Sequence, residues 1–318
     1  MSTQSGEARN SEAAITIVIP AYGVTTMLAD AIDSVIAQDR GDWQAIVVDD
    51  GDARVAPYVE PYLSDPRIRF LQTDNGGLPT ARNRAIAAST TPYVALLDGD
   101  DILEPDFVSS LIAAIEADPR NGFATGDATF FGADRVGELF SSYCAQQPPI
   151  TLERLIRREF NVFGLTVMRR EAIEGIGGFD TSLRSSEDLD AWIRLMAAGW
   201  QLAHVPRPLA RYRRREGQMS GNTPVMLETA HAVMSKARAH LAGRPEAAAA
   251  EEMIRRIEHD QAIEAAFARI RSGEVRAGVA ELVRLGVGER SPRWGRALLL
   301  MRIAPFLARW LLKMRERV

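Results

Sequence analysis

Residues 93–101 read YVALLDGDD, an aliphatic run that ends in an acidic turn. Two similar runs precede it, Ile15–Pro20 and Ala45–Asp50, and segments with helical periodicity separate the three. Short runs of β-branched and aliphatic residues that alternate with helices predict buried parallel strands in a three-layer α/β sheet. Ligands of such sheets bind beyond the carboxyl ends of the strands. We therefore expect a binding site at the acidic turn.

The carboxylates at these strand ends indicate a divalent cation. The second run ends in Asp49 and Asp50, and the third, Tyr93–Asp98, ends in Asp98 and is followed by Asp100 and Asp101. Five carboxylates at one sheet edge repel each other unless a cation joins them. Carboxylate oxygens favour Mg²⁺ or Mn²⁺, and Mg²⁺ is commonly held by one or two carboxylates together with substrate phosphates. The pattern predicts a phosphate-bearing substrate, whereas one acidic pair alone is typical of an ordinary turn.

Five short motifs follow one another along the chain. They are VIPAY at 18–22, VVDDG at 47–51, NGGLPTARN at 75–83, DGDD at 98–101 and SED at 186–188. Over about residues 14–222 the chain resembles the family-2 glycosyltransferases of the GT-A fold. These are inverting enzymes that move a sugar from a nucleotide diphosphate donor to an acceptor hydroxyl. The resemblance implies a mixed, mostly parallel sheet flanked by helices.

The resemblance also implies a nucleotide site. It makes Pro20, Ala21 and Tyr22 line the nucleoside pocket, with Tyr22 against the base, and it gives Asp50 hydrogen bonds to the base or ribose. Arg82, in a glycine-rich loop that enters a helix, is placed against the nucleotide. A carboxylate accepts from base N–H or ribose hydroxyl groups, and a guanidinium suits phosphate oxygens. The alternative is a plain glycine turn beside a solvated arginine.

By the same resemblance, the acidic turn binds ribose and metal, and a second acidic pair acts on the acceptor. Asp98 and Asp100 contact ribose and metal, and Asp101 ligates the metal. Asp188 is the general base that takes the proton from the acceptor hydroxyl, and Glu187 binds acceptor or donor hydroxyls. Replacement of Asp101 is therefore expected to abolish turnover.

Residues 185–196 predict a helix that presents the second acidic pair. Ser185 or Ser186 is the expected N-cap, which puts Glu187 and Asp188 in the first turn. Acidic residues in a first turn also suit the helix dipole without any catalytic role. Both interpretations remain open at this point.

The chain departs from the family in the loop that begins near Arg211. Many members carry a metal-binding histidine there, whereas Arg215 stands in that place and the four histidines of the chain lie elsewhere. One interpretation is that Arg215 or a neighbour contacts the diphosphate and shares the charge neutralisation with the metal. The other is that the consecutive arginines form a solvated loop.

Length and composition predict a soluble protein of more than one average domain. The 318 residues are 46% hydrophobic and 25% charged, which fits an ordinary globular core. The single cysteine, Cys144, excludes an internal disulfide and is expected to pack. Residues 1–13 lack an apolar signal region, and no stretch of about 18 apolar residues follows. We expect a cytoplasmic catalytic part, with peripheral attachment to the inner face of the cell membrane as a further hypothesis.

The predicted division has five parts. A disordered tail at 1–13 precedes the nucleotide-sugar-binding half of the GT-A domain at 14–125 and the acceptor-binding half at 126–222. A helical region at 223–289, with a pair of amphipathic helices between Ala247 and Leu285, leads to a basic amphipathic helix at 290–318.

The last of these parts carries eight Lys or Arg residues and one Glu, although the whole chain has a net charge of −4. A basic amphipathic helix with tryptophan suits an anionic membrane surface, and Pro305 is expected to bend it. The alternative is packing on the helical region or on a second subunit. Nucleic acid is not an expected partner, because the basic residues are interleaved with large aliphatic ones. The basic face of this predicted helix carries Arg302, Arg309 and Lys313, and its apolar face carries Leu299, Ile303, Phe306, Trp310 and Leu311.

The sequence thus predicts a metal-dependent inverting glycosyltransferase for cell-surface polysaccharide or glycoconjugate synthesis, with a UDP-sugar donor favoured and a carbohydrate or lipid-linked acceptor. A nucleotidyltransferase would carry a glycine-rich, lysine-containing signature near its N-terminus, which this sequence lacks. The other alternative is a catalytically degenerate nucleotide-sugar-binding scaffold in a membrane-associated assembly complex. The missing histidine favours it, and the presence of Asp101 and Asp188 argues against it.

Overall fold

The computed structural model describes residues 13–215, 218, 221–290, 292–308 and 312. One eight-stranded sheet, flanked by helices, is followed by a set of C-terminal helices. The strands are β1 (Ile15–Ala21), β2 (Trp43–Asp50), β3 (Ile68–Thr73), β4 (Tyr93–Leu96), β5 (Ile102–Leu103), β6 (Asn121–Gly132), β7 (Thr166–Arg169) and β8 (Gln201–Arg214). The α-helices are α1 (Leu28–Ile36), α2 (Ala56–Val59), α3 (Leu78–Ala87), α4 (Phe107–Glu116), α5 (Leu152–Ile156), α6 (Arg170–Gly175), α7 (Glu187–Ala197), α8 (Thr223–His240), α9 (Glu246–Ser272), α10 (Val275–Arg284), α11 (Val287–Arg290) and α12 (Pro292–Ile303).

The sheet has the order β3-β2-β1-β4-β7-β6-β8-β5. β1 pairs in parallel with β2 and β4, and β2 pairs in parallel with β3, so the ends of these strands meet at one edge. β7 is antiparallel to both β4 and β6, and the long pair β6 and β8 is parallel again. The predicted GT-A-like fold, with a mixed and mostly parallel sheet, is confirmed.

The three apolar runs form the strands that open the sheet. All seven residues of β1 are buried, because helices cover both faces. Ile17 packs on the side of α1 and α4, and Val18 packs on the side of α3 and α7. β4 ends at Leu96, two residues before the end of the predicted run. Its last sheet contact is the Leu97 N–H to Val18 carbonyl bond of 3.0 Å, after which the acidic turn leaves the sheet.

The C-terminal helices divide between two apolar clusters. Val233 of α8 and Ile254 of α9 belong to the same cluster as Trp192 of α7, so the predicted boundary at residue 222 is not a break in packing. The predicted boundary at residue 125 falls inside β6. The second half of α9 forms a separate cluster with α10 and α12, which includes Phe267 and Met301.

The expected basic helix at 290–318 is interrupted after Ile303 in the structure. α12 ends at Ile303, and Pro305 begins a 3₁₀ turn, Pro305–Leu307, because proline lacks the N–H group that a continuing helix needs. Arg309, Trp310, Leu311 and Lys313, which helped to define the predicted faces, lie outside the described residues. In the part of the chain that the structure describes, every helix is too short or too polar to cross a membrane.

Candidate active site

The acidic turn lies between β4 and β5 and is fastened to the end of β8. The Arg213 N–H donates to Asp101 Oδ1 at 2.8 Å, and Arg213 Nε donates to the Asp100 carbonyl at 2.7 Å. The turn also packs closely on the end of β1. A Cβ atom at Gly99 would lie 2.8 Å from Val24 Cγ2 and 3.1 Å from the Pro20 carbonyl oxygen. Glycine at this position therefore allows the turn to approach the predicted nucleoside pocket.

Negative charge is concentrated in this turn. Asp101 is almost fully buried, and its burial, together with the charges of Asp100 and Asp98, raises its pKa well above the usual value. Arg215 offsets part of the charge, because its Nε donates to Asp100 Oδ2 at 2.8 Å. In the structure, Arg215 therefore lies next to Asp100, one of the two predicted metal ligands.

The donor set fits a hard cation that is shared with a substrate. Among the residues that the structure describes, no three His, Cys, Asp or Glu side chains converge on one point. Asp100 and Asp101 supply two carboxylates, and Mg²⁺ typically combines one or two carboxylates with water and substrate phosphates. The raised pKa of Asp101 indicates an environment that a positive charge would relieve. The two aspartates are therefore compatible with Mg²⁺ or Mn²⁺.

Arg82 is buried between the two acidic motifs. Only 3% of the residue is exposed. Its Nη2 donates to Asp98 Oδ1 at 2.8 Å, and its Nη1 donates to Glu187 Oε1 at 2.6 Å. Both ends of the guanidinium are engaged by carboxylates, and the direct contact with a nucleotide stays a prediction. Arg82 joins the turn after β4 to the start of α7.

Glu187 is likewise a buried partner. The residue is 3% exposed, and its predicted role in binding sugar hydroxyls stays a prediction. Burial, with a further contribution from the charge of Asp188, raises the pKa of Glu187 to about 7, although Arg82 acts in the opposite direction. Asp98 differs from Glu187, because 34% of its side chain is exposed and the bond from Arg82 engages only its Oδ1.

α7 begins as predicted, but without the predicted cap. Ser186 occupies the N-cap position in a left-handed conformation, with φ 60° and ψ 20°, and its side chain makes no capping bond. A non-glycine residue held in this region stores strain, which is often found at functional sites. The strained residue turns the chain so that Glu187 points inward, while Asp188 remains half-buried.

Asp188 faces a glycine across the site. Its Oδ1 accepts from the Leu189 N–H at 2.7 Å. Its Oδ2 would lie 3.6 Å from a Cβ atom at Gly164, so the absence of a side chain there leaves space beside the carboxylate. Arg82 and Glu187 both interact electrostatically with Asp188. The predicted acceptor-side residue therefore lies in the same charge cluster as Asp98.

Of the residues predicted to line the nucleoside pocket at the end of β1, one is exposed to solvent and two are buried. Pro20 and Ala21 are buried at the end of β1, and the adjacent Tyr22 is 60% exposed. Asp50 does not face the open side, because its two carboxylate oxygens accept from the Gly76 N–H at 2.9 Å and the Gly77 N–H at 2.8 Å. Asp50 therefore anchors the glycine-rich loop, and its predicted contact with the base or ribose stays a prediction.

Two residues of the site were missed by the sequence reasoning. Asp52 Oδ2 accepts from the Gly23 N–H at 3.1 Å, which holds the chain next to Tyr22. The available signal was a third acidic residue directly after Asp49-Asp50-Gly51. Arg213 was missed although it precedes Arg215 by two residues, the spacing that places side chains on one face of a strand.

Comparison with known proteins identifies the family. Residues 16–177 match the model of glycosyl transferase family 2. The succinoglycan biosynthesis protein ExoO of Rhizobium meliloti (strain 1021) is 31% identical over 218 residues, which are 65% of this chain and 62% of that protein. The chondroitin synthase of Escherichia coli is 27% identical over 187 residues, 58% of this chain and 27% of that protein. The chain thus spans less than two thirds of the length of these relatives.

Solved structures agree on the fold. S. aureus TarS 1-349 in complex with UDP-GlcNAc superposes with a TM-score of 0.64 at 17% identity, covering 93% of this chain and 87% of that one. The mannosyltransferase PcManGT from Pyrobaculum calidifontis, in complex with GDP-Man and Mn²⁺, gives a TM-score of 0.60 at 17% identity, covering 95% and 85%. With the family model matching half of its residues, the chain belongs to glycosyl transferase family 2.

Proposed function

We propose that this protein transfers a sugar from a nucleotide diphosphate donor to an acceptor hydroxyl, with inversion at the anomeric carbon, in polysaccharide or glycoconjugate synthesis. The observation that carries the proposal is the position of Arg82. Its guanidinium bonds Asp98 of the acidic turn and Glu187, the neighbour of Asp188. One buried cation thus holds the donor-side turn against the acceptor-side helix. In this proposal residues 14–125 bind the donor and residues 126–222 bind the acceptor.

Asp188 is the proposed general base. Its carboxylate is half-buried, is oriented by the Leu189 N–H, and faces the space left by Gly164. It takes the proton as the acceptor oxygen attacks the anomeric carbon from the face opposite the diphosphate. Glycosyl transfer passes through an oxocarbenium-like transition state, and a carboxylate beside the sugar favours that positive charge.

Charge on the leaving diphosphate is neutralised from two sides in this proposal. Asp100 and Asp101 would hold Mg²⁺ or Mn²⁺, which supplies Lewis-acid stabilisation when bound. Arg215 binds a phosphate oxygen with the guanidinium nitrogens that Asp100 does not use, since its planar fork has five N–H donors. An arginine in this place supports a mechanism in which the protein itself carries part of the neutralisation.

The donor base is proposed to stack on Tyr22, whose ring is exposed at the edge of the site. A UDP-sugar is favoured by the family resemblance, and the TarS complex with UDP-GlcNAc supports it. The PcManGT complex with GDP-Man makes guanosine the natural competitor. The base is therefore best assigned by experiment.

Thermal stabilisation by UDP, dTDP and GDP, each with Mn²⁺ or Mg²⁺, tests the donor assignment. A ligand at 100 times its Kd stabilises the folded state by about 2.7 kcal/mol. We expect one nucleotide to raise the melting temperature only with metal, and Asp101→Asn to remove that increase. A shift that is equal without metal, or unchanged in the variant, would contradict the metal assignment.

Slow hydrolysis of the same donor distinguishes an enzyme from a nucleotide-sugar-binding scaffold, because water serves as the acceptor. An inverting enzyme releases sugar with the opposite anomeric configuration, which NMR detects before mutarotation. Asp188→Asn should bind donor as before and lose this release. Donor binding without any release from the wild-type protein, even with candidate acceptors, would favour the scaffold.

A peripheral membrane contact is proposed for the C-terminal helix. α12 and the turn after it expose Leu299, Ile303 and Phe306, at 56%, 72% and 82%, and Arg296 and Arg302 beside them are also exposed. The opposite face is buried against the helical region through Leu298 and Met301. An apolar ridge with basic neighbours suits the surface of anionic lipid.

Vesicle flotation tests that contact. Replacing Leu299, Ile303 and Phe306 by serine should release the protein from vesicles that contain phosphatidylglycerol, and pure phosphatidylcholine should bind neither form. Val283→Ser is the matched control, because this residue is 55% exposed on α10. Equal flotation of the triple variant and the wild-type protein would end the proposal.

A further inference from the structure

A cavity of about 670 Å³ opens between the end of β8, the start of α8 and the middle of the helical region. It is distinct from the acidic turn but shares Arg215 with it, because that residue lines the cavity and also donates to Asp100. The volume is within the range of pockets that hold small ligands. Its lining includes Arg214, Arg215, Asn222, Glu264, Arg271 and Leu312.

The lining is predominantly cationic, since it contains three arginines and one glutamate. Arg214 is paired on its other side with Asp134 at 3.0 Å. Arg271 is held more weakly. Among the described residues, its nearest carboxylate oxygen is Glu264 Oε2 at 4.0 Å, and 44% of its side chain is exposed. That separation exceeds hydrogen-bond length, so the Arg271 fork retains donors for a ligand.

Arg271 lies on a part of the cavity that is not proposed to contact the donor. The residue belongs to α9, which follows the segment that resembles the family, whereas the proposed diphosphate contacts lie in the acidic turn and in Arg215. A ligand that touches both Arg215 and Arg271 therefore extends from the reaction centre towards the C-terminal helices. Leu312, which also lines the cavity, adds an apolar wall on that side.

We propose that this cavity binds an oxyanion group of the acceptor, either a phosphate or a sugar carboxylate, through Arg271 and Arg215. The inference rests on the proposed function, because it supposes that the acceptor hydroxyl enters beside Arg215. A guanidinium binds phosphate and carboxylate in the same bidentate geometry. An acceptor held by its anionic group would present a neighbouring hydroxyl to the reaction centre, and neutral sugars would bind less well.

Binding of two simple anions tests the proposal. Inorganic pyrophosphate and glucuronate are titrated by calorimetry into full-length protein that is saturated with UDP and Mn²⁺, so that the donor site is filled. Arg271→Gln removes the charge and retains helix propensity. Arg255→Gln is the matched control, because Arg255 lies on the same helix, is 63% exposed and does not line the cavity. Melting temperatures establish that both variants fold.

We expect one of the anions to bind the wild-type protein and Arg255→Gln, with an affinity at least tenfold lower in Arg271→Gln; tenfold corresponds to about 1.4 kcal/mol. Dependence on Arg271 with pyrophosphate identifies a phosphate-bearing acceptor, and the same dependence with glucuronate identifies an acidic sugar. Equal affinities in the two variants, or no binding of either anion, would overturn the inference. If UDP itself fails to bind, the donor proposal fails separately, and the anion titrations without UDP still report on Arg271.

Discussion

Replacing Arg82 by methionine should destabilise the protein strongly, because it leaves two carboxylates without their shared cation. Methionine retains much of the volume and the apolar contact with Phe179, whose ring centre lies 5.5 Å from the guanidinium carbon. The change therefore removes mainly the bonds of 2.8 Å to Asp98 and 2.6 Å to Glu187. Breaking a buried ion pair by removing one partner costs about 3–5 kcal/mol.

The expected loss depends on pH through Glu187. Its pKa is about 7 in the folded protein, against an ordinary value of 4.5, so the folded state binds more protons than the unfolded state between these values. Its contribution to stability is complete below pH 4.5 and is lost as pH rises through 7, a change of roughly 3 kcal/mol at about 1.36 kcal/mol per unit. Arg82 lowers the pKa of Glu187, so in Arg82→Met that pKa is higher still and Glu187 stays protonated at pH 7.5. The effect of Arg82→Met should therefore be smaller at pH 5.5 than at pH 7.5 by about 1 kcal/mol or less, which is the proton-linked free energy of the interval above pH 7.

Urea denaturation at pH 7.5 and pH 5.5, followed by circular dichroism, measures both quantities. Arg84→Met is the control on the same helix, because the Arg84 side chain is 36% exposed and its Nη1 lies 3.5 Å from Asp50 Oδ1. The buried Asp50 keeps its bonds from the Gly76 and Gly77 N–H groups in this variant, so the loss should be about 1 kcal/mol or less. Glu187→Gln should remove most of the pH dependence. If Arg82→Met destabilises no more than Arg84→Met, or equally at both pH values, the account of a buried charge pair is wrong.

Three further predictions concern activity. Asp188→Asn should lower kcat by about 10²–10⁴-fold, as is typical for loss of a general base, with an unchanged Kd for the donor by calorimetry. Asp50→Ala should release the loop at Gly77, lower stability by about 1–3 kcal/mol and weaken donor binding; unchanged urea unfolding would contradict the anchoring role. Arg215→Gln should lower kcat and make the residual activity depend more completely on Mn²⁺, since the metal alone then neutralises the diphosphate; the Mn²⁺ concentration needed should not rise, because a competing cation leaves Asp100. An unchanged ratio of activity with and without Mn²⁺ would count against this role.

The sequence was a good guide to the fold because the strands carry their own signal. β1, β2 and β4 are buried on both faces, so they appear as continuous apolar runs, and the acidic residues follow them at the correct edge. The end of β4 was less predictable, because Leu97 is apolar and buried although it lies outside the strand. An apolar pattern reports burial and does not by itself fix where pairing stops.

The site was harder to predict because a motif identifies residues without fixing which way they face. Arg82 and Glu187 are 105 positions apart, and their pairing depends on how α3 and α7 pack. From the sequence both read as ligand-binding groups, whereas the structure buries each against the other. Ser186 shows the same limit, since serine suggests a side-chain cap and only the backbone reveals the left-handed turn.

The charged residues of the acidic turn differ in their partners. Arg82 bonds Asp98 and Arg215 bonds Asp100, so each of these two aspartates has its own arginine partner. An aspartate that is held in this way keeps its orientation when no cation is near. Asp101 has no such arginine side chain among the described residues and receives only the Arg213 N–H. We therefore expect Asp101 to be the member of the turn whose charge depends most on an added cation. Its replacement should reduce metal binding more than it reduces the stability of the fold.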